Sequence, residues 1–150
     1  MKNKNKKLSV YVGICGDIVH HGHINILKKA SNYGEVILGV LTDNAIKSYK
    51  KYPILNYKNR KTVLESIKFV KKVVPQKTLD YSFNLKKFKP DIVIHGNDWK
   101  NGIQQEIRSR VIEVLKGWNG KLIEPKYTKN ISSSLIKKKI LKNNGTYKKR

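Results

Sequence analysis

A chain of 150 residues is the size of one domain and long enough to close a substantial core, and its single cysteine excludes an intrachain disulfide. No run approaches the roughly 18 apolar residues of a membrane span, and the basic start MKNKNKK leads into a strand-like LSVYVGIC rather than a signal-peptide core, so a cytoplasmic location is expected. The net charge of +23 would concentrate any polyanion, yet the lysines are scattered over every polar stretch without interleaved aromatics, zinc knuckle or helix-turn-helix, so no specific nucleic-acid partner is expected.

Basic tails at 1–7 and 142–150 flank one domain at 8–141. The first apolar run starts at Val10 and gives way at Gly13 and Gly16 to a turn, after which His20, His21 and His23 crowd around Gly22. Ile24, Leu27 and Ala30 then make one face of a helix that Gly34 ends. Val36 to Leu41 is a continuous apolar run, as in a parallel strand covered on both sides, and it closes in Thr42 and Asp43. Asn44 to Asn56 reads as a loop or short irregular helix carrying Lys47, Lys50, Lys51 and Pro53. Asn56 caps a second helix with Val63, Leu64 and Ile67 inward and Arg60 in its first turn, away from the buried face.

Val70 to Val74 is the third strand, stopped by Pro75, and Phe83 to Phe88 is a weak helix ahead of Pro90. The strand Asp91 to His95 runs directly into Gly96, Asn97, Asp98 and Trp99. Ile103, Ile107, Val111, Val114 and Leu115 mark the clearest helix, broken at Gly117, and Lys121 to Glu124 is the final strand. A loop from Pro125 through Tyr127 and Asn130 reaches Ile131, and any of Ser132, Ser133 and Ser134 can cap a last helix with Leu135, Ile136 and Ile140 inward. Strand and helix alternate throughout, which predicts one Rossmann-like, doubly wound α/β domain with five mainly parallel strands.

In such a sheet the polar strand ends gather at one carboxyl edge, where ligands bind. The densest is Cys15 to His23. A strand that hands over directly to a helix exposes unpaired N–H groups, a seat for phosphate, and imidazoles there can donate hydrogen bonds and carry positive charge. The spacing is neither GxGxxG nor a Walker loop. Two other readings of the same residues are helix capping by the histidines and a zinc site from Cys15, Asp17, His20 and His23.

The stretch DIVHHGH resembles the HxGH motif of the nucleotidyltransferase superfamily, and Val10 to Ile140 is similar to its cytidylyltransferase branch, whose members join CTP to a phosphorylated alcohol or a phosphonate. Cys15, Gly16, Asp17, His20, Gly22 and His23 stand at T, F, D, H, G and H of the signature GTFDxLHxGH, with Ile14 at its first glycine. Lys51, beside Lys50, falls in the family's lysine-rich loop, and Arg60 matches the arginine of YxxR. His95 to Trp99 resembles GDDW with Asn97 for the first aspartate. Asn130 to Ser134 resembles the end of RTEGISTT, with Asn130 for glycine and Tyr127 for the arginine, whose phosphate contact Lys126 or Lys129 could take over.

The resemblance is closest to domains that activate 2-aminoethylphosphonate. It implies in-line attack of an ionised acceptor on the α-phosphorus of CTP, with His20, His23, Lys51 and Lys50 as catalytic residues. It further implies N–H groups near Ile131 to Ser134 on the β and γ phosphates, and Mg2+ carried mainly by those phosphates with Asp17 nearby. Arg60, His95, Asn97, Asp98 and Trp99 would recognise nucleoside and acceptor, Tyr127 would face an amine on the acceptor, and the protein would be a homodimer. Glycerol 3-phosphate or phosphocholine as acceptor, adenylyl transfer, and a basic RNA-binding domain stand as alternatives.

Overall fold

The computed structural model describes residues 6–102 and 104–143; Ile103 and the outer parts of both basic tails lie outside the described residues. Strands β1 (Ser9–Ile14), β2 (Glu35–Leu41), β3 (Lys72–Gln76), β4 (Ile92–Ile94) and β5 (Lys121–Ile123) form one sheet in the order β3-β2-β1-β4-β5. Every pairing is parallel. The helices are α1 (His21–Tyr33), α2 (Asp43–Lys47), α3 (Tyr57–Glu65), α4 (Ser82–Phe88), α5 (Gln104–Lys116) and α6 (Ser133–Asn143), with a 3-10 turn at Asn97–Lys100.

Alternation along β1 separates two cores. Val10 and Val12 pack with Leu27, Ala30 and Leu64 on one face, while Tyr11 packs with Tyr81, Leu85, Val111 and Leu115 on the other. The chain moves outward from β1 through β2 to β3, then crosses back to place β4 on the other side of β1. The order therefore reverses between β1 and β4, and the crevice at that switch point is where an open parallel sheet receives a ligand.

Several local expectations are corrected. Pro75 lies inside β3 opposite Val40, because β3 is an edge strand and an edge tolerates a missing N–H. Arg60 is on the buried face of α3, fully enclosed, whereas Val63 is 48% exposed on the flank of that stripe. Leu135 and Ile140 are also exposed, since α6 buries no residue at all. The irregular segment shortens to α2 with Thr42 as its cap, Oγ1 accepting from Ala45 N at 3.2 Å. Asn56 caps α3 as expected, and Ser132 is the serine that caps α6. Among the described residues no helix is long and apolar enough to cross a membrane.

Candidate active site

The β1–α1 turn is shaped by two glycines. Gly16 has φ +69°, and a Cβ there would press on Leu64 Cδ1 at 2.7 Å. A Cβ on Gly22 would meet the His20 ring at 2.9 Å, so the residue between the histidines has room only for hydrogen. His20 caps α1, its Nδ1 accepting from Gly22 N at 3.1 Å, and His23 Nδ1 accepts from His20 N at 3.2 Å. Both Nδ1 atoms are thus acceptors, which puts the proton of each neutral ring on Nε2. The rings lie 4.0 Å apart, centroid to centroid.

Burial, with His20 alongside, pushes the His23 pKa down to about 4, and burial with His21 lowers His20. At neutral pH the pair is uncharged. The expectation of positive imidazoles is corrected: they offer Nε2–H donors, and the helix-capping reading holds at the same time because each ring uses a different nitrogen for each task. The zinc reading finds no support, for no three His, Cys, Asp or Glu side chains converge on a metal position among the described residues.

Asp17 is enclosed and fully engaged. Its carboxylate accepts from Ile54 N at 3.0 Å, Leu55 N at 2.9 Å and Lys137 Nζ at 2.7 Å. Burial alone would raise its pKa, but these donors outweigh that and hold it below the usual carboxylate value. The carboxylate is thus held by three protein donors and does not line the cavity beside His20 and His23. Arg60 is occupied too: Nε donates to Leu55 O, one terminal nitrogen donates to Cys15 O and Leu41 O, and the other to Asp43 Oδ1 at 2.7 Å. It pins the ends of β1 and β2 beneath the site and does not line that cavity.

On the other side of β1, His95 stacks on Trp99 with centroids 3.7 Å apart and planes within 5°. His95 Nδ1 donates to Gly96 O at 2.7 Å, leaving Nε2 as an acceptor, and burial lowers its pKa. Trp99 Nε1 donates to Glu124 Oε1 at 2.8 Å, and hydrogen bonds from Arg108 carry the Glu124 pKa down to about 2. Asn97 is a loop clamp, donating to Pro125 O and accepting from Tyr127 N. Tyr127 lays its ring beside Gly96 and returns its hydroxyl to Ile131 O at 3.0 Å. Asp98 accepts no hydrogen bond among the described residues, with the ring Nδ1 of His95 3.8 Å from its Oδ1.

These pieces border one cavity of about 380 Å3. Cys15, His20, Gly22 and His23 form its middle; His95, Asp98, Trp99 and Tyr127 form the β4 side; Leu41, Tyr49, Gln76, Leu79 and Tyr81 form the β3 side. Lys50 and Lys51 are both exposed on the segment next to Tyr49, with Lys50 Nζ over the Tyr49 ring at 5.1 Å, and neither lines the cavity. Gly16, Asp17, Asn97, Arg60 and Ile131 to Ser134 stand behind or beside the cavity, not in its wall. Gln76 escapes the sequence reading because the strand stops there at Val74, before Pro75; β3 runs two residues further and puts Gln76 at its carboxyl end. Lys137 carries no local signal, since its partner is 120 residues away.

The cytidylyltransferase-like family model matches residues 11–139. The chain belongs to that family. It is 38% identical over 88 residues to the glycerol-3-phosphate cytidylyltransferase of Staphylococcus aureus, covering 56% of this chain and 65% of that protein. It is 37% identical over 86 residues to the ethanolamine-phosphate cytidylyltransferase of Mus musculus, covering 56% of this chain but 21% of the relative. Less than two thirds of each relative's length is therefore spanned. Among solved structures, the lipopolysaccharide core biosynthesis protein of Thermoplasma volcanium superposes with a TM-score of 0.70 at 25% identity, over 82% of this chain and 99% of that one. The His20–His23 turn at the sheet's switch point lies within the matched residues.

Proposed function

We propose that this chain is a CTP-dependent cytidylyltransferase that transfers CMP to a small phosphate or phosphonate monoester and releases pyrophosphate. The observation that carries the reading is the histidine pair: two neutral rings at a helix N-terminus, each fixed through Nδ1, each left with an Nε2–H beside the cavity. Such donors suit phosphoryl oxygens and cost little reorganisation as charge develops on the α-phosphoryl group. The acceptor's phosphate is already ionised near neutral pH, so no strong general base is needed. Its oxygen attacks the α-phosphorus, the bond to the β-phosphate bridging oxygen breaks, and pyrophosphate leaves. Lys50 and Lys51 supply positive charge from the 48–56 segment, and the N-terminal amides of α6 face the outer phosphates. Because Asp17 is committed to protein donors, Mg2+ is expected to arrive on the nucleotide, held by phosphates and water.

The relatives named for glycerol 3-phosphate and ethanolamine phosphate favour a small alcohol phosphate as acceptor, broader than the 2-aminoethylphosphonate suggested by sequence resemblance. An amine-bearing acceptor, phosphate or phosphonate, is the narrower reading. It draws on Asp98, a carboxylate with no hydrogen-bonded partner among the described residues, set in a cavity wall with the rings of Trp99 and Tyr127. The test is pyrophosphate release from each nucleoside triphosphate with glycerol 3-phosphate, ethanolamine phosphate, phosphocholine and 2-aminoethylphosphonate. Release that depends on both CTP and one of these acceptors supports the reading; preference for ATP with none of them active refutes it.

A further inference from the structure

α6 is attached in an unusual way for a helix beside an active site. None of its residues is fully buried and Ile136 alone of its apolar side chains is half-buried, so it gains little of the roughly 1.5–3 kcal/mol per buried apolar side chain that holds a packed helix in place. Its ties are polar: Ser133 Oγ donates to Ile18 O at 3.1 Å, and Lys137 Nζ donates to Asp17 Oδ2 at 2.7 Å. The Asp17 side chain is 1% exposed, so this is the one ion pair that α6 makes into the protein interior among the described residues.

The same carboxylate holds the segment that carries Lys50 and Lys51. Ile54 and Leu55 donate their N–H groups to it, and Leu55 returns its carbonyl to Arg60. Asp17 itself sits in the histidine turn, three residues before His20. One buried group therefore joins three walls: the turn, the lysine segment and the serine-capped helix. We propose that Lys137 is a positioning residue for the nucleotide, whose ion pair with Asp17 sets α6 and the 48–56 segment in register with the histidines. This rests on the reading of the site as a CTP site. Lys137 touches no phosphate in this account; it acts through Asp17.

Three variants of the full chain test it: Lys137→Met, Lys137→Arg and Asp17→Asn. Hydrogen exchange in the nucleotide-free protein is read first. Peptides covering 133–143 exchange at least about fivefold faster in Lys137→Met and in Asp17→Asn, and return to the wild-type rate in Lys137→Arg, which retains the charge. CTP titrations then show KM raised about tenfold in Lys137→Met and in Asp17→Asn, with kcat changed less than about threefold, and the double variant no worse than either single one.

Opposite results have distinct meanings. If Lys137 contacted phosphate directly, Asp17→Asn would free it and CTP would bind as tightly as in the wild type or tighter, which overturns the proposal. If Asp17 held Mg2+, its variant would shift the Mg2+ half-saturation while Lys137→Met would not, which also overturns it. Unchanged exchange in both variants does the same. Should wild-type protein bind no CTP, the nucleotide reading fails, and the exchange comparison still decides whether Lys137 fixes α6.

Discussion

Replacing His23 with alanine removes two things at once. The first is the Nε2–H donor, an interaction aimed at charge that develops in the transition state; loss of one such donor is worth roughly 3 kcal/mol, about a hundredfold in kcat. The second is the acceptor for His20 N, one half of the reciprocal cap of α1, whose loss costs about 1 kcal/mol of stability. The two are separated by measuring pyrophosphate release alongside thermal unfolding. The pH dependence adds a sign. His23 is held near 4 in the fold against the ordinary imidazole value of 6.5, so the unfolded chain takes up a proton that the native state refuses. Its contribution is fully present above about 6.5 and is lost as pH falls toward 4, on the order of 3 kcal/mol at most. The variant should therefore lose less stability than wild type between pH 7 and pH 4.5. Wild-type turnover in a folded His23→Ala protein would refute the site assignment, and an unchanged pH slope would refute the buried neutral imidazole.

Gly22→Ala puts a Cβ against the His20 ring and near Ile131 Cγ2, so kcat should fall about tenfold or more while the fold survives, as circular dichroism would report. Arg60→Met leaves Asp43 and three backbone carbonyls without their donor; a loss of about 3 kcal/mol, and a Tm lower by roughly 10 °C, is expected in calorimetry. Asp98→Asn should lower kcat/KM for ethanolamine phosphate about tenfold and leave that for glycerol 3-phosphate nearly unchanged; equal effects on both would remove the carboxylate from amine selection. Glu124 is held near 2, so its support of Trp99 is present above the usual carboxylate range and is lost as pH falls toward 2, a change that tryptophan fluorescence can follow.

The alternation of strand and helix was legible because the central strands β2 and β4 are apolar runs and α1 and α5 each carry a buried stripe. The rule that polar strand ends gather at one sheet edge points to His20, His23, His95 and Asp98, and these four line one cavity. What escaped the sequence was committed at long range. Arg60 reads as a surface residue in a polar stretch, yet three carbonyls from separate segments and Asp43 complete its hydrogen bonding, which makes burial tolerable. Asp17 reads as a metal neighbour until Ile54, Leu55 and Lys137 are seen to fill it. Leu135 and Ile140 read as core because they are apolar, but both stay exposed on α6, and of the three residues expected inward only Ile136 is half-buried. The protonation of the histidines was likewise beyond the sequence, since it depends on which nitrogen each backbone N–H reaches.

The central claim is tested most directly by following the α-phosphorus. Protein incubated with CTP labelled at that position, Mg2+ and the acceptor panel should move the label into a CMP–acceptor conjugate in step with pyrophosphate release, and should do so for CTP in preference to ATP. Label appearing only as free CMP, or transferred only from ATP, would contradict the account.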